Sequence, residues 1–337
     1  MLKFVFRFGT PSLAIGCLIM AVLIATNREM PVHLFSVANL QSFKILFISI
    51  ILEAFPFILL GVLFSALLQV FVTDELIQKF TPKNPIAGVL FGGLLGLLFP
   101  LCECGMIPVI RRLIRKGMPA YIGVVYLLAG PIVNPIVFTS TYTAFRTTPE
   151  MAYSRMGLAF TVAVVIGLLL YKFMRSSPLK ASPALKVLHH EHSHDHSTHR
   201  KGLRGRTASI LAHSSDEFFE MGKYFIFGAF LTAIIQTLIK RSTLESFADQ
   251  PMFAYLFMMV FAFILSICST SDAFIASSFS GMFDFGPLLA FLVFGPMTDL
   301  KNTFMLLTTF RVKFVLILIA LTASLTLIGA WFMEVLL

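Results

Sequence analysis

The sequence predicts an all-α integral membrane protein of eight to nine transmembrane helices: two homologous halves with broken helices, behind one extra amino-terminal helix. Of 337 residues, 57% are hydrophobic and only 13% charged, with a mean hydropathy of +0.88, a balance that one soluble core cannot absorb. Apolar runs recur at 11–26, 43–72, 86–101, 118–145, 155–174, 217–239, 252–282, 285–310 and 313–336, most of them near the ~20 residues that a spanning helix needs. The chain also matches itself at a nearly constant offset.

The first run follows Lys3 and Arg7 and ends at the polar stop Thr26-Asn27-Arg28-Glu29. No small-residue cleavage site stands out, so it reads as a retained helix rather than a signal peptide, and residues 1–42 form an amino-terminal helix and connector. The self-match begins next. Glu53, Gly61 and Gln69 recur as Glu220, Gly228 and Gln236 at an offset of 167. LCEC at 101–104 lies over ICST at 267–270, which sets Cys102 on Cys268. AGPIVNP at 129–135 lies over FGPMTDL at 294–300, which sets Gly130 on Gly295, Pro131 on Pro296 and Asn134 on Asp299. These blocks divide the chain into a first membrane repeat at 43–174, a linker at 175–216 and a second repeat at 217–337. Repeated halves are the plan of many secondary transporters, whose site lies between the repeats and is built from broken helices.

The linker is rich in Ser, Pro, Lys, Arg and His and reads as a flexible solvated loop. Within it, HHEHSHDHSTH holds His189, His190, His192, His194, His196 and His199, with Glu191 and Asp195 between them. Imidazoles and carboxylates at that density capture zinc, cobalt, nickel or copper without a folded site. A hydrophilic spacer is the plainer reading. Lys172, Arg175, Lys180, Lys186, Arg200, Lys201, Arg204 and Arg206 flank the stretch, which places the loop in the cytoplasm by the positive-inside rule, together with RRLIRK at 111–116. The net charge of +9 belongs to such loops and does not point to nucleic acid. No GxxxxGK[ST] phosphate loop and no HExxH motif is present, so neither an ATPase of the common kind nor a zinc protease is expected, and no enzyme activity is assigned.

Four cysteines, at 17, 102, 104 and 268, are too few for a disulfide framework. On a regular helix Cys102 and Cys104 would point about 200° apart, but Pro100, Gly105 and Pro108 favour an unwound segment that presents thiols and freed carbonyls together. With Cys268 from SICSTSDAF they are expected to form a three-thiol cluster suited to zinc, Cu(I) or a trivalent metalloid. A buried cysteine is otherwise just a small hydrophobe. Ionisable groups inside spans are functional candidates. Glu103, Asp272 and Asp299 join Ser269, Thr270, Ser271, Asn134 and Asn302 as substrate-binding candidates. Glu53 and Glu220 are a repeat-related pair for proton or cation coupling, with Glu220 and Lys301 near enough to span ends to snorkel. Gly-Pro before Asn134 and before Asp299 marks two further breaks, which would form the other wall of the site or be plain proline kinks.

From about residue 43 to its end the chain resembles the predicted-permease family that includes the organoarsenical efflux permeases, through PLCECGMIPVIRRLIRKGMP, LLAGPIVNPIVF, CSTSDAFIASSF and GPMTDLKNTFML. Those exporters typically carry serine between and after the cysteines, where this chain has Glu103 and Gly105. In that respect it is more similar to the branch paired with a second membrane-anchored protein and associated with zinc or related metals. The resemblance implies a permease of a bacterial plasma membrane. The expected substrate is a thiophilic or divalent metal species, zinc or cobalt first, with no resident cofactor required. A trivalent organoarsenical or another small apolar or lipid-like substrate is the alternative, and the apolar or lipid-like one would be favoured if transport survived loss of the cysteines. A thiol–disulfide relay between Cys102 or Cys104 and Cys268 is the other, and would show a disulfide on oxidation.

Overall fold

The structure, a computed structural model, describes residues 37–71, 73–82, 84–98, 102–174, 178–180, 203–238 and 251–336. The apolar run at 11–26, most of the linker and the histidines at 189–199 lie outside the described residues. The chain divides into a unit of residues 1–45, described only as the helical start of α1, and a unit of residues 46–337, to which everything below refers.

In chain order the helices are α1 (Val37–Phe71), α2 (Asp74–Phe80), α3 (Pro85–Leu98), α4 (Glu103–Arg115), α5 (Ala120–Ala129), α6 (Pro135–Ala144), α7 (Glu150–Phe173), α8 (Leu203–Leu238), α9 (Pro251–Leu265), α10 (Asp272–Ser277), α11 (Phe285–Met297), α12 (Leu300–Thr309) and α13 (Val312–Leu336). Among the described residues the only β pairing is an isolated bridge between Leu179 and Phe310. Four segments among the described residues are long and apolar enough to cross a membrane: Gln41–Gln69, Glu150–Phe173, Phe218–Thr237 and Val312–Leu336. Between a fifth and two fifths of each is buried inside the protein, which leaves large apolar side chains such as Leu52, Phe55, Leu316 and Trp331 facing outward, as lipid requires.

The other apolar runs are divided. The run at 118–145 becomes α5 and α6, that at 252–282 becomes α9 and α10, and that at 285–310 becomes α11 and α12. Proline and capping residues make the cuts. Asn134 is extended (φ −146°, ψ 155°) and caps α6, whose first residue is Pro135, the position where a missing N–H costs nothing. Asp299 is likewise extended (φ −125°, ψ 170°) and caps α12.

Contacts at the helix ends give the course of the chain. Tyr121 at the start of α5 meets Tyr171 at the end of α7, with ring centroids 5.2 Å apart. Residues 178–180 hydrogen bond to Thr309 and Arg311 at the end of α12. These ends share the face from which the linker leaves. At the opposite face Tyr255 of α9 hydrogen bonds to Glu334 near the end of α13, beside Gly286 of α11. The α5–α6 pair therefore runs away from the linker face and the α11–α12 pair returns to it. Gly88 of α3 lies against Tyr121, Gly96 against Gly130, and α4 passes back along α5, with Ile110 and Ile114 against Gly123. So α3 and α4 form a hairpin that enters and leaves on the linker face, while α9 and α10 enter from the opposite face. Apart from α2, which has no counterpart among the described residues, residues 46–173 and 203–336 thus follow the same order of helices in opposite directions. Contacts of α3 with α5, α5 with α7 and α3 with α7 have counterparts in α9 with α11, α11 with α13 and α9 with α13. Between the stretches, α4 packs on α12, α10 on α6, α5 on α11 and α7 on α13.

One close approach fixes α1 on α4. A Cβ on Gly61 would stand 2.3 Å from the carbonyl oxygen of Gly105 and 2.5 Å from its Cα, and Ser65 Oγ donates to the Pro108 carbonyl at 3.3 Å. Backbone, not a side-chain tip, lies in the way. Gly61→Ala is expected to cost about 1–3 kcal/mol, the range for overpacking, read as a lower melting temperature in detergent. Gly157→Ala, where nothing lies within 4 Å, is the control and should leave it unchanged or higher.

Candidate functional site

Two helix N-termini meet in the packed interior, one from each stretch. Cys102 is the extended residue before α4, and its half-buried thiol lies over the Cys104 and Gly105 backbone N–H groups of that helix's first turn. Glu103 and Cys104 follow in the first turn and are buried. Opposite them, Asp299 Oδ1 accepts from the Asn302 backbone N–H at 2.6 Å. Both carboxylates sit at the positive ends of their helices, where a negative charge is stabilised.

Lys301 completes this junction. Its Nζ donates to the Ser266 carbonyl at 2.5 Å and lies 3.4 Å from Glu103 Oε1 and 3.6 Å from Asp299 Oδ2. Ser266 adopts φ 48°, an uncommon conformation for a side-chain-bearing residue, and its hydroxyl accepts from the Leu300 N–H at 3.1 Å. That kink ties the end of α9 to the start of α12. The Glu103 carboxyl reaches the side chains of Asp299 and Asn302, and the Cys104 Sγ is 3.5 Å from Asn302 Oδ1. Relative exposures of 7% for Glu103, 0% for Asp299 and 6% for Lys301 mean that these charges answer to one another rather than to water.

Cys268 is half-buried. The charges of Glu103, Glu53 and Lys301 all reach its thiol, and Cys102 and Cys268 lie within electrostatic reach of each other. The thiols surround one junction. Even so, no three His, Cys, Asp or Glu among the described residues are placed to hold one metal ion, so the expected three-thiol cluster is not assembled in this conformation. Cys104 is turned to Asn302, and Lys301 lies among the carboxylates. Cys102, Cys104 and Cys268 are all free thiols.

A second buried junction joins α7, α10 and α6. Arg155, 1% exposed, donates to Asp272 Oδ2 at 2.6 Å, the Ser269 carbonyl at 3.1 Å and Thr141 Oγ1 at 2.7 Å. Ser140 Oγ donates to the Thr270 carbonyl at 2.5 Å, and Thr270 Oγ1 lies 3.5 Å from the Cys268 Sγ. Asp272 and Ser269 therefore serve an ion-pair junction beside the thiols, while Ser271 is exposed.

Other expectations are corrected. Asn134 is consumed locally: its Oδ1 accepts from the Val137 N–H at 2.9 Å and its Nδ2 faces the Gly130 and Pro131 carbonyls at 3.2 and 3.3 Å. It closes its own break and forms no wall of the site. Glu53 and Glu220 are not equivalent. Glu220 pairs with Arg111 at 3.1 Å, whereas Glu53 is exposed and makes no hydrogen bond or ion pair among the described residues. Lys301 does not snorkel. Arg155 escaped the sequence reading because it stands at the first position of an apolar run and passes for a boundary; a count of intramembrane acids lacking a base was the signal available.

Residues 39–335 match the family described as "Predicted permease" (ArsP_1). The chain is 46% identical over 290 residues to "UPF0718 protein YcgR" of Bacillus subtilis, an alignment covering 85% of this chain and 94% of that protein. It is 41% identical over 273 residues to the "Putative two-component membrane permease complex subunit" of Streptococcus mutans, covering 80% of this chain and 88% of that one. No solved structure matches.

Proposed function

The chain belongs to the predicted-permease family ArsP_1, and from that premise we propose that it moves a divalent or thiophilic metal cation, zinc or cobalt first, through the junction of α4 and α12. It is a multi-pass cell-membrane protein, and its family is one of transporters rather than enzymes. The observation that carries the reading is the convergence of Glu103, Cys104, Asp299 and Asn302, all buried, at two facing helix N-termini. A soft thiol beside hard carboxylates is a donor set for a borderline cation such as zinc or cobalt. The opposite courses of the two stretches, with the self-match in sequence, support an inverted repeat whose site lies at the repeat interface. Access then alternates by rocking of one repeat against the other, driven by an ion gradient or a partner.

The Streptococcus mutans relative is named as a subunit of a two-component complex, and a membrane-anchored partner is part of this reading. The linker face carries Arg112, Arg115, Lys116, Lys172, Lys180, Arg311 and Lys313 near its helix ends and is assigned to the cytoplasm. His189, His190, His192, His194, His196 and His199 would gather metal there. The test is zinc flux in proteoliposomes. Deleting 189–199 should raise the zinc concentration giving half-maximal flux and leave the maximal rate. Cys102→Ser/Cys104→Ser/Cys268→Ser should lower the maximal rate at least about tenfold, the equivalent of ~1.4 kcal/mol. Full zinc flux without the thiols would sink the reading. A trivalent organoarsenical, the second reading, is favoured by the gathering of three thiols and needs no carboxylate, so Glu103→Gln should abolish zinc flux and spare arsenical flux.

A further inference from the structure

We propose that Lys301 is a tethered stand-in for the transported cation: its ammonium occupies the cation position in the empty permease, and a divalent metal ion loads by displacing it. The inference rests on the metal-permease reading above and names how its site is held when vacant.

The surroundings of Lys301 Nζ are those of a small cation. Its neighbours are oxygens from three separate segments: the Ser266 carbonyl at 2.5 Å, Glu103 Oε1 at 3.4 Å and Asp299 Oδ2 at 3.6 Å. An ammonium satisfies them unevenly. Two carboxylates face one positive charge, and both Glu103 Oε2 and Asp299 Oδ2 are buried without a hydrogen-bond partner. These orphaned oxygens belong to residues 7% and 0% exposed whose carboxyl groups face each other. A divalent ion would balance both charges and use both oxygens, with the Cys104 thiol close by at Asn302.

The backbone of Lys301 is fixed. A Cβ on Gly228 of α8 would stand 3.0 Å from the Lys301 Cα, and the Asp299 cap holds the first turn of α12. Exchange is therefore a side-chain motion. Glu53, exposed and without a hydrogen bond or ion pair among the described residues, acts electrostatically on Cys268, as Lys301 does. In the empty state the lysine keeps two buried carboxylates from standing unpaired, which would be costly in the membrane interior.

The experiment is Co2+ titration of the purified full chain in detergent, followed by visible absorption, for wild type and Lys301→Met, Glu103→Gln and Cys104→Ser. Lys301→Met is expected to bind Co2+ about 10- to 100-fold more tightly, the range over which groups adjoining a metal alter its affinity, while Glu103→Gln and Cys104→Ser weaken binding. Unchanged or weaker binding by Lys301→Met, with the other two still weakening it, overturns the stand-in and leaves the metal reading. Binding indifferent to Glu103→Gln and Cys104→Ser overturns the metal reading at this junction. If Lys301→Met does not fold, wild type decides: acetylation of Lys301 by acetic anhydride, quantified by mass spectrometry, should rise when Co2+ or Zn2+ is added. Labelling that is unchanged or reduced by metal rejects the displacement.

Discussion

Arg155→Met is expected to cost the protein about 3–5 kcal/mol, the usual result of stripping one partner from a buried ion pair. The guanidinium is bonded to α6 through Thr141 and to the α10 segment through Asp272 and the Ser269 carbonyl, so its loss frees three elements at once. What remains is an Asp272 side chain only 4% exposed with no counter-charge. Arg155→Met/Asp272→Asn removes that orphan charge and should recover most of the loss. Unfolding in detergent by heat or denaturant reads both. If the double variant is no more stable than the single one, the penalty lies in lost packing and not in the stranded carboxylate.

The second large effect separates two caps that look alike. Asn134→Ala and Asp299→Ala each remove a side chain that accepts the N–H three residues on, and each should lose roughly 1–2 kcal/mol of stability. Their transport should diverge. Asp299→Ala also leaves Lys301 with Glu103 alone, and zinc flux per folded protein should fall at least about tenfold, one ~1.4 kcal/mol contact. Asn134→Ala touches nothing beyond its own break and should keep wild-type flux. Equal losses in the two variants would mean that the α12 cap acts on transport only by holding the helix.

Why the sequence distinguishes these positions poorly is visible in the same pair. The self-match sets Asn134 on Asp299, and both cap a helix, because the demand for a cap after Gly-Pro is local and written in adjacent residues. The difference in surroundings comes two positions later, where Lys301 stands over Ile136, and from Glu103, nearly two hundred residues away. No spacing along the chain encodes that meeting. The four long spans were legible for the opposite reason, since hydropathy over a window of twenty residues is all that a simple crossing needs. Direction was less so. The run at 86–101 reads as a crossing or a re-entrant segment, and α4 returns along α5; α4 carries Glu103, Arg111, Arg112 and Arg115, so no apolar window announces it. Asp272 was noticeable as a charge but had no partner on paper, because Arg155 lies 117 residues away along the chain and meets it only in the fold.

The hairpins that enter from opposite faces have an electrical consequence. At their inner ends Cys102 and Cys268 are half-buried, while Glu103 and Cys104, one or two residues from Cys102, are buried. If the proposed cation path runs through this junction, the membrane voltage acts on an ion passing between the two half-buried thiols. A charge moving along that path does work against the potential, up to ~2.3 kcal/mol per elementary charge per 100 mV. For the proposed divalent ion the limit doubles, and zinc flux in proteoliposomes is then expected to change with an imposed membrane potential.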